Sequence, residues 1–215
     1  MTSKRRFIAV EGPIGVGKTT LAKKLAESFG SELLLEGAAD NPFLERFYQN
    51  PRAAALSTQL FFLMQRAQQI NDLRQGELFT PVWVADFLID KDRLFAQLTL
   101  DADELALYEQ VYQHLTIDAP APDLVIYLQA PVSVLTERIA TRGIAFEQDM
   151  SPEYLRQLSD AYMTFFHNYN ESALLIVNAE MINFATNDDD YNVLLQRVNS
   201  MAGGTEYFNP SALSI

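Results

Sequence analysis

The sequence contains no cysteine, and this absence limits the chemistry available to the protein. With no thiol among its 215 residues, the chain has no disulfide framework, no thiolate nucleophile and no thiolate metal site. It also lacks any apolar run of the roughly 18 residues that a membrane span requires. Its basic start, residues 1–6, is not followed by the apolar segment of a secretory signal. We therefore expect a cytoplasmic protein that does not bind membranes.

Positive charge is also scarce. The chain has 16 Lys and Arg residues against 28 Asp and Glu residues, which gives a formal net charge of −12. Polymeric nucleic acid is bound largely through clustered lysine and arginine side chains, so we expect no such partner. A few well-placed donors can still bind one small anion. The two histidines, His114 and His167, have no His, Cys or acidic partner at ligand spacing and predict no metal site.

Short apolar runs alternate with helical patterns along most of the chain. Five buried strands are predicted, at Phe7–Glu11, Glu32–Glu36, Val82–Asp86, Asp123–Gln129 and Ala173–Asn178. Helical segments separate them, as the crossover connections of parallel strands require. We predict a three-layer α/β domain with a five-stranded parallel sheet flanked by helices. This single domain spans residues 1–205, and residues 206–215, which lack a strong pattern, are expected to form a flexible tail.

The turn after the first predicted strand carries a phosphate-binding motif. Residues 12–19 read Gly-Pro-Ile-Gly-Val-Gly-Lys-Thr and fit the spacing G-x-x-x-x-G-K-[ST], with a strand before it and a helix beginning at the lysine. The glycines let the backbone curl so that N–H groups point at phosphate oxygens, and the helix N-terminus adds a favourable dipole. Lys18 is expected to reach the β- and γ-phosphates of ATP, and the Thr19 hydroxyl is expected to bind Mg²⁺.

A chance match to this spacing is expected in on the order of one per cent of chains of this length. The strand, loop and helix context lowers that fraction further. The motif therefore refines the fold prediction to the P-loop NTPase fold. The expected nucleotide contacts are Gly12, Pro13, Ile14, Gly15, Val16, Gly17, Lys18, Thr19 and Thr20.

Two acidic residues follow neighbouring predicted strands. Glu36 ends the second strand and Asp86 ends the third. In doubly wound sheets, ligands bind at the carboxyl ends of the strands, where either acid could act as a general base or help to hold Mg²⁺. A helix cap or a solvated strand end explains a single such acid at least as well. Two acids at neighbouring strand ends beside a phosphate site favour a functional role.

Three arginines and a glutamine are further candidates. Arg138 and Arg142 lie four residues apart on one predicted helix face, from which they could close over a transferring phosphoryl group. A solvated face paired with nearby acids is an equally good interpretation. Gln59 and Arg66 share a face of a long predicted helix and could bond to the edge of a base. Residues of this kind more often form the wet flank of an amphipathic helix.

The P-loop is followed by further motifs in a definite order along the chain. The segments in this ordered set are Glu11–Thr20, Asn41–Tyr48, Gln59 with Arg66, Asp92–Phe95, Arg138–Gly143, Glu147 and Pro152–Leu155. Taken together, they resemble the deoxynucleoside kinase family over roughly residues 7–177. The P-loop alone does not separate kinase families, whereas the ordered set of motifs is more specific. The resemblance implies transfer of the γ-phosphoryl group of ATP to a deoxynucleoside 5′-hydroxyl, with Mg²⁺, by a homodimer built on the long helices.

The resemblance also implies a role for each candidate. Glu36 would be the general base, and Tyr48 and Glu147 would hold the sugar 3′-hydroxyl. Gln59 would make paired hydrogen bonds to the base, in a pocket lined by Arg66 and Asp92. Asp86 would help to organise Mg²⁺, and Arg138 and Arg142 would act on the phosphates from the lid. The residues expected to act in catalysis are thus Glu36, Lys18, Arg138 and Arg142.

Two positions depart from the family pattern. Many members have an arginine directly after the third-strand acid, where this chain has Phe87, so one expected cationic partner is missing. The family lid usually continues Arg-Gly-Arg, but Ile144 follows Gly143 here. The lid is therefore expected to close with fewer charges, which leaves more of the work to Lys18 and the two lid arginines.

Other functions stay open from the sequence alone. A nucleoside monophosphate kinase such as thymidylate kinase shares the P-loop and the sheet, although its acceptor phosphate calls for an additional arginine near the third strand. A non-catalytic protein that uses ATP as a switch is the alternative from another class. Among acceptors, an Arg66–Asp92 pair suits a base with an amino group. We expect deoxyadenosine first, followed by deoxyguanosine and deoxycytidine.

Overall fold

Six strands form one sheet in the part of the chain that the structure describes. The computed structural model describes residues 6–75, 82–115, 120–148 and 150–210. The strands are β1 (Arg6–Glu11), β2 (Glu32–Leu34), β3 (Val82–Ala85), β4 (Leu124–Gln129), β5 (Ala173–Asn178) and β6 (Thr205–Phe208). Their order across the sheet is β2-β3-β1-β4-β5-β6, and every neighbouring pair is parallel. The predicted α/β architecture is confirmed.

The prediction of five strands was wrong by one. Strand β6 lies at an edge of the sheet, and only Phe208 of its four residues is buried. A short edge strand of this kind has almost no apolar periodicity, which is the signal used to predict strands. Three of its residues, 206–208, fall in the segment expected to be a tail. Residues 211–215 of that segment lie outside the described residues.

Helices cover both faces of the sheet and supply the crossovers. They are α1 (Lys18–Phe29), α2 (Leu44–Gln49), α3 (Pro51–Gln75), α4 (Lys91–Thr99), α5 (Ala102–Leu115), α6 (Val132–Arg142), α7 (Pro152–His167) and α8 (Asp188–Ser200). Short 3-10 helices lie at Ala38–Asp40 and Ala145–Glu147. None of the helices within the described ranges is long and apolar enough to cross a membrane.

The central strands are buried on both faces, as their continuous apolar sequences predict. On one face, side chains such as Ile8, Val10 and Ile126 form a core with α1 and α8. On the other face, Val125 and Tyr127 pack with Leu158 and Tyr162 of α7. Alternate residues of one strand therefore enter different cores, which anchors the sheet between two helical layers.

Three connections begin at the carboxyl edge of the sheet and carry the candidate residues. The P-loop joins β1 to α1, and Asp86 directly follows β3. Strand β2 ends at Leu34, two residues earlier than predicted, so Glu36 lies in the loop after it. Since β2, β3 and β1 are adjacent and parallel, these connections meet at one edge.

Candidate active site

A large open cavity lies at the carboxyl edge of the sheet. Its volume is about 1080 Å³, above the roughly 300–1,000 Å³ typical of a small-molecule pocket, so it has room for two ligands side by side. One end is formed by residues 14–20 with Arg138, Arg142 and residues 182–185. The other end is formed by Glu36, Tyr48, Gln59, Phe62, Phe95, Glu147 and Tyr154, among others.

The P-loop is shaped by close contacts that only glycine permits. A Cβ on Gly12, whose φ is 148°, would lie 2.3 Å from the carbonyl oxygen of Leu128 in β4. The loop thus packs directly on the neighbouring strand. Gly17 caps the start of α1 with a φ of 106°. Of the residues predicted to contact the nucleotide, 14–20 line the cavity, whereas Gly12 and Pro13 are buried behind it.

The ammonium group of Lys18 is held by the loop itself. Its Nζ donates to the carbonyl oxygens of Gly12 at 2.6 Å and Pro13 at 3.3 Å. Burial, followed by the neighbouring charge of Lys91, lowers the pKa of Lys18 although three nearby acids raise it. A phosphate group bound in the loop would restore favourable charge at this lysine.

Thr19 and Asp86 form the oxygen-rich part of the site. The Thr19 hydroxyl donates to Asp86 Oδ2 at 2.5 Å. The other oxygen of the carboxylate, Oδ1, accepts the backbone N–H of Glu36 at 2.7 Å. Asp86 therefore links the start of α1 to the loop after β2. A hydroxyl and a carboxylate are hard oxygen ligands, which suit Mg²⁺ when phosphate oxygens and water complete its coordination.

The Glu36 carboxylate lies between two cations. Its Oε1 accepts from Arg66 NH2, and its Oε2 accepts from Lys91 Nζ at 3.0 Å. Burial alone would raise the pKa of Glu36, but the charges of Lys91, Arg66 and Lys18 outweigh it and lower the pKa to about 2. Glu36 is consequently ionised at neutral pH, and it lines the cavity.

Arg66 and Asp92 are paired, but behind the cavity wall. Arg66 is 2% exposed and Asp92 3%, and NH1 of the arginine bonds to Asp92 Oδ1. Burial raises the pKa of Asp92 to about 6, although Arg66 and Lys91 act to lower it. Neither residue is among those that line the cavity. Arg66 and Asp92 therefore form a pair, but the pair lies behind the wall of the cavity and does not line it directly, contrary to the prediction.

Phe87, the first departure from the family pattern, packs on this arginine. The Arg66 guanidinium lies 5.6 Å from the Phe87 ring centroid and 5.1 Å from that of Phe62. Two aromatic faces and two carboxylates thus fix the orientation of Arg66. Phe87 thus takes the place of the family's arginine after β3, and it also helps to hold Arg66 against Glu36.

Gln59 and Thr58 lie at the end of the cavity opposite the P-loop. Both side chains are buried and both residues line the cavity. Gln59 Nε2 donates to Thr99 Oγ1 at 3.3 Å. The Thr58 hydroxyl has no hydrogen-bond partner within the described structure. Thr58 carries no motif signal in the sequence, because the helical pattern alone does not distinguish a residue that lines a cavity from one buried in the core.

Tyr48 and Glu147 meet at the same end of the cavity. Tyr48 stacks on Phe146 with ring centroids 6.1 Å apart, and burial followed by nearby Tyr154 and Glu147 raises the pKa of Tyr48. Glu147 is buried and forms an ion pair with Arg142. The structure therefore brings together the two residues predicted to hold a sugar hydroxyl, with a lid arginine beside them.

The two predicted lid arginines differ in their surroundings. Arg138 donates to the carbonyl oxygens of Val16 at 3.2 Å and Ala179 at 2.8 Å, so it ties the P-loop to the loop after β5. Arg142, by contrast, is paired with Glu147 and has a 43% exposed side chain. Both residues line the cavity.

Lys91 and Glu11 were not among the site residues predicted from the sequence. Lys91, the first residue of α4, is 2% exposed and lines the cavity. Glu11 is fully buried at the end of β1 and lies 3.5 Å from Lys91 Nζ through its Oε2. A cation at the N-terminus of a helix opposes the helix dipole. That placement is the one sequence signal that could have identified the lysine.

Comparisons with known proteins agree in family and fold. The family model described as deoxynucleoside kinase matches residues 8–202. A deoxyguanosine kinase from Bacillus subtilis (strain 168) is 36% identical over 204 residues, which cover 91% of this chain and 97% of that protein. A deoxyadenosine kinase from Lactobacillus acidophilus is 29% identical, over 90% of this chain and 94% of that protein. A structure of M. mycoides deoxyadenosine kinase with bound dATP has the same fold, with a TM-score of 0.78, 23% identity and coverage of 91% and 100% of the two chains.

Proposed function

Because the chain belongs to the deoxynucleoside kinase family, we propose that it transfers the γ-phosphoryl group of ATP to the 5′-hydroxyl of a purine deoxynucleoside. One observation carries the proposal. A P-loop with Lys18 and a carboxylate, Glu36, line the same cavity, which is large enough for a donor and an acceptor. The products are ADP and a deoxynucleoside 5′-monophosphate.

At the donor end, residues 14–20 hold the triphosphate. The backbone N–H groups of the loop and the dipole of α1 bind phosphate oxygens. Lys18 leaves its contacts with Gly12 and Pro13 to meet the β- and γ-phosphates. Arg142 turns from Glu147 toward the transferring group, and Arg138 keeps the P-loop joined to the loop after β5. Charge on the transferring group is thereby stabilised in the transition state.

Glu36 acts as the general base. It accepts the hydrogen bond of the 5′-hydroxyl, aligns an oxygen lone pair with the γ-phosphorus, and takes the proton as the new P–O bond forms. A carboxylate whose pKa is about 2 is a weak base at neutral pH. Such a base suffices where the transition state is loose, because the hydroxyl becomes strongly acidic only once its bond to phosphorus has formed. Positioning is therefore the larger part of its contribution.

Thr19 and Asp86 hold Mg²⁺. Their adjacent oxygens match the hard, oxygen-only coordination of this ion. When bound, Mg²⁺ supplies neutralisation of the charge on the β- and γ-phosphates. Asp86 also fixes the backbone of Glu36, so the same carboxylate serves the ion and the position of the base.

The acceptor end binds the sugar and the base. Tyr48 and Glu147 hydrogen-bond to the 3′-hydroxyl, and Gln59 makes paired hydrogen bonds to the base. The buried Arg66–Asp92 pair acts from behind the wall by fixing Glu36 and the polar surface around it. Support for a purine comes from the deoxyguanosine and deoxyadenosine kinases among the relatives, and deoxyadenosine remains the acceptor we expect first.

The cellular setting follows from the same proposal. We place the enzyme in the cytoplasm, in nucleotide salvage, without a nucleic acid or membrane partner. We also propose that the enzyme is a homodimer built on the long helices, as the resemblance to the family implies.

A phosphoryl-transfer assay with a panel of acceptors tests the proposal. Purified protein with ATP and Mg²⁺ is offered deoxyadenosine, deoxyguanosine, deoxycytidine, thymidine and thymidine monophosphate. We expect the two purines to give the highest kcat/KM. Transfer to thymidine monophosphate alone would indicate a monophosphate kinase, and release of inorganic phosphate alone would indicate a nucleotide switch.

A further inference from the structure

Lys91 is a buried cation in an unfavourable place. It begins α4, where the helix dipole disfavours positive charge, and it is 2% exposed. A lysine in such a place is retained only when carboxylates compensate its charge. Burial acts to lower the pKa of Lys91, but the charges of Glu11 and Glu36 outweigh burial and raise the pKa above its ordinary value. The group therefore stays protonated. The structure therefore keeps a full charge at this point of the cavity wall.

The side chain of Lys91 bridges two carboxylates of different function. Its Nζ is 3.0 Å from Glu36 Oε2 and 3.5 Å from Glu11 Oε2. Glu36 faces the cavity, whereas Glu11 is fully buried at the end of β1. The lysine thus connects the Glu36 carboxylate, the proposed general base, to the centre of the sheet.

Glu11 is itself rigidly held. Its Oε1 accepts the backbone N–H of Gly12 at 2.8 Å and the hydroxyl of Tyr162 at 2.9 Å. Its Oε2 accepts the backbone N–H of Leu88 at 2.9 Å. A carboxylate fixed by three donors gives Lys91 a stationary anchor. One of these donors belongs to Gly12, the first residue of the P-loop, so a single carboxylate contacts both the phosphate loop and the lysine.

Arg66, the other cation that contacts Glu36, is held in place by further partners. It is shared with Asp92 and lies between Phe62 and Phe87. Lys91 lines the cavity and Arg66 does not. Loss of Lys91 would therefore leave Glu36 Oε2 without this partner, so that the carboxylate would be held by Arg66 through Oε1.

We infer that Lys91 is a positioning residue that holds the Glu36 carboxylate in line with the acceptor hydroxyl, with Glu11 as its anchor. This role rests on the proposed function. Many family members have an arginine directly after the third-strand acid, where this chain has Phe87. Lys91, in the first turn of α4, provides a cation in place of that arginine. The groups that face Lys91 from the surrounding elements are Glu11 of β1, Lys18 of α1, Glu36 after β2, Arg66 of α3 and Asp92 of α4.

Kinetics of Lys91 variants test the role. Lys91→Met should lower kcat with the preferred deoxynucleoside by about 100-fold, comparable with the loss of one preorganised electrostatic partner. The KM for ATP should change by less than about threefold, because Lys91 makes no contact with the P-loop atoms that bind phosphate. Lys91→Arg should recover at least about tenfold of the lost kcat, since it restores a charge. Lys24→Met is the matched control, because Lys24 pairs with Asp188 away from the cavity, and it should behave as wild type.

A double-variant cycle separates positioning from mere charge compensation. If Lys91 acts through Glu36, Lys91→Met should change kcat by less than about twofold when Glu36 is already glutamine. This double variant also lacks the Glu36 charge, so it stays measurable if Lys91→Met alone fails to fold. A further loss of tenfold or more in the Glu36→Gln background would overturn the inference, as would a folded Lys91→Met protein with wild-type kcat. Wild-type protein assayed in parallel distinguishes the proposed function from the role of Lys91. If wild type is inactive, both the proposed function and the role of Lys91 are excluded. If wild type and Lys91→Met are equally active, only the role of Lys91 is excluded.

Discussion

The Thr19 hydroxyl donates to Asp86 Oδ2 at 2.5 Å. This hydrogen bond joins the start of α1 to the residue that follows β3. The second oxygen of Asp86 holds the backbone of Glu36. The proposed metal ligand and the proposed base are thus fixed by a single carboxylate.

Asp86→Asn should increase the enzyme's requirement for Mg²⁺. Asparagine retains an acceptor for the Glu36 N–H but has no charge, so the Mg²⁺ concentration for half-maximal activity is expected to rise about 10- to 100-fold. Activity titrated with Mg²⁺ at saturating ATP measures this. Asp188→Asn, at a side chain that is 90% exposed, should leave the titration unchanged. An Asp86→Asn titration that superimposes on that of wild type would exclude Asp86 as a ligand.

Glu147→Ala should weaken binding of the acceptor. A hydrogen bond to a charged group contributes about 1.5–3 kcal/mol, so the KM for the deoxynucleoside should rise roughly 10- to 100-fold. The KM for ATP should stay near its wild-type value. Glu153→Ala is the control, because Glu153 has a 52% exposed side chain and pairs only with Arg156 and Gln157. An unchanged acceptor KM would separate Glu147 from sugar binding.

Gly12→Ala should disrupt the P-loop. The new Cβ would lie 2.3 Å from the backbone oxygen of Leu128, and a strand cannot move aside as a flexible side chain can. We expect loss of ATP binding and a free energy of unfolding lower by more than about 3 kcal/mol. Gly30→Ala has open space around its Cβ and should lose only about 1–2 kcal/mol from its left-handed backbone. Equal thermal stability of the two variants would contradict this account of Gly12.

Stability should depend on pH through Asp92. Burial raises the pKa of Asp92 from 3.8 to about 6, so the folded state binds this proton more tightly than the unfolded chain does. The protonated form is favourable below about pH 4, and stability is lost as the pH rises through 6. A pKa change of this size corresponds to on the order of 2–3 kcal/mol. The ion pair with Arg66 is then kept at neutral pH at a cost in stability.

Urea unfolding at pH 4.5, 5.5 and 7.0 measures the effect of Asp92. Asp92→Asn removes the titrating group, so its free energy of unfolding should fall less than that of wild type over this range. Asp103→Asn, at an exposed position at the start of α5, should follow wild type. If Asp92→Asn showed the wild-type dependence on pH, the carboxyl of Asp92 would have an ordinary pKa.

Local signals in the sequence were sufficient for the fold class and the centre of the site. The P-loop has a fixed spacing, and Glu36 and Asp86 follow apolar runs, so their meeting at one edge could be derived from the parallel sheet alone. Strand β6 has one buried residue and no such run. The two phosphate-loop residues that lie behind the cavity, Gly12 and Pro13, could not be separated from the rest by spacing.

The electrostatic surroundings of the base could not be predicted in the same way. Lys91 is 55 residues from Glu36 along the chain, and nothing in its own segment shows which acids it faces. The orientation of Arg66 depends on Phe87 and Phe62, which belong to different elements. Contacts of this kind are set by packing between helices and strands, whereas sequence periodicity reports only which face of an element is buried.

The most direct test of the central claim follows ATP labelled at the γ-phosphate with wild type, Glu36→Gln and Glu32→Gln. Glu32 is an exposed acid at the start of β2 and serves as the matched control. We predict that wild type and Glu32→Gln transfer the label to the 5′-position of a purine deoxynucleoside. Glu36→Gln should do so about 10²–10⁴ times more slowly while it binds ATP nearly as well as wild type. Near-normal transfer by Glu36→Gln would remove Glu36 as the base, and the absence of labelled deoxynucleoside monophosphate with wild type would contradict the account as a whole.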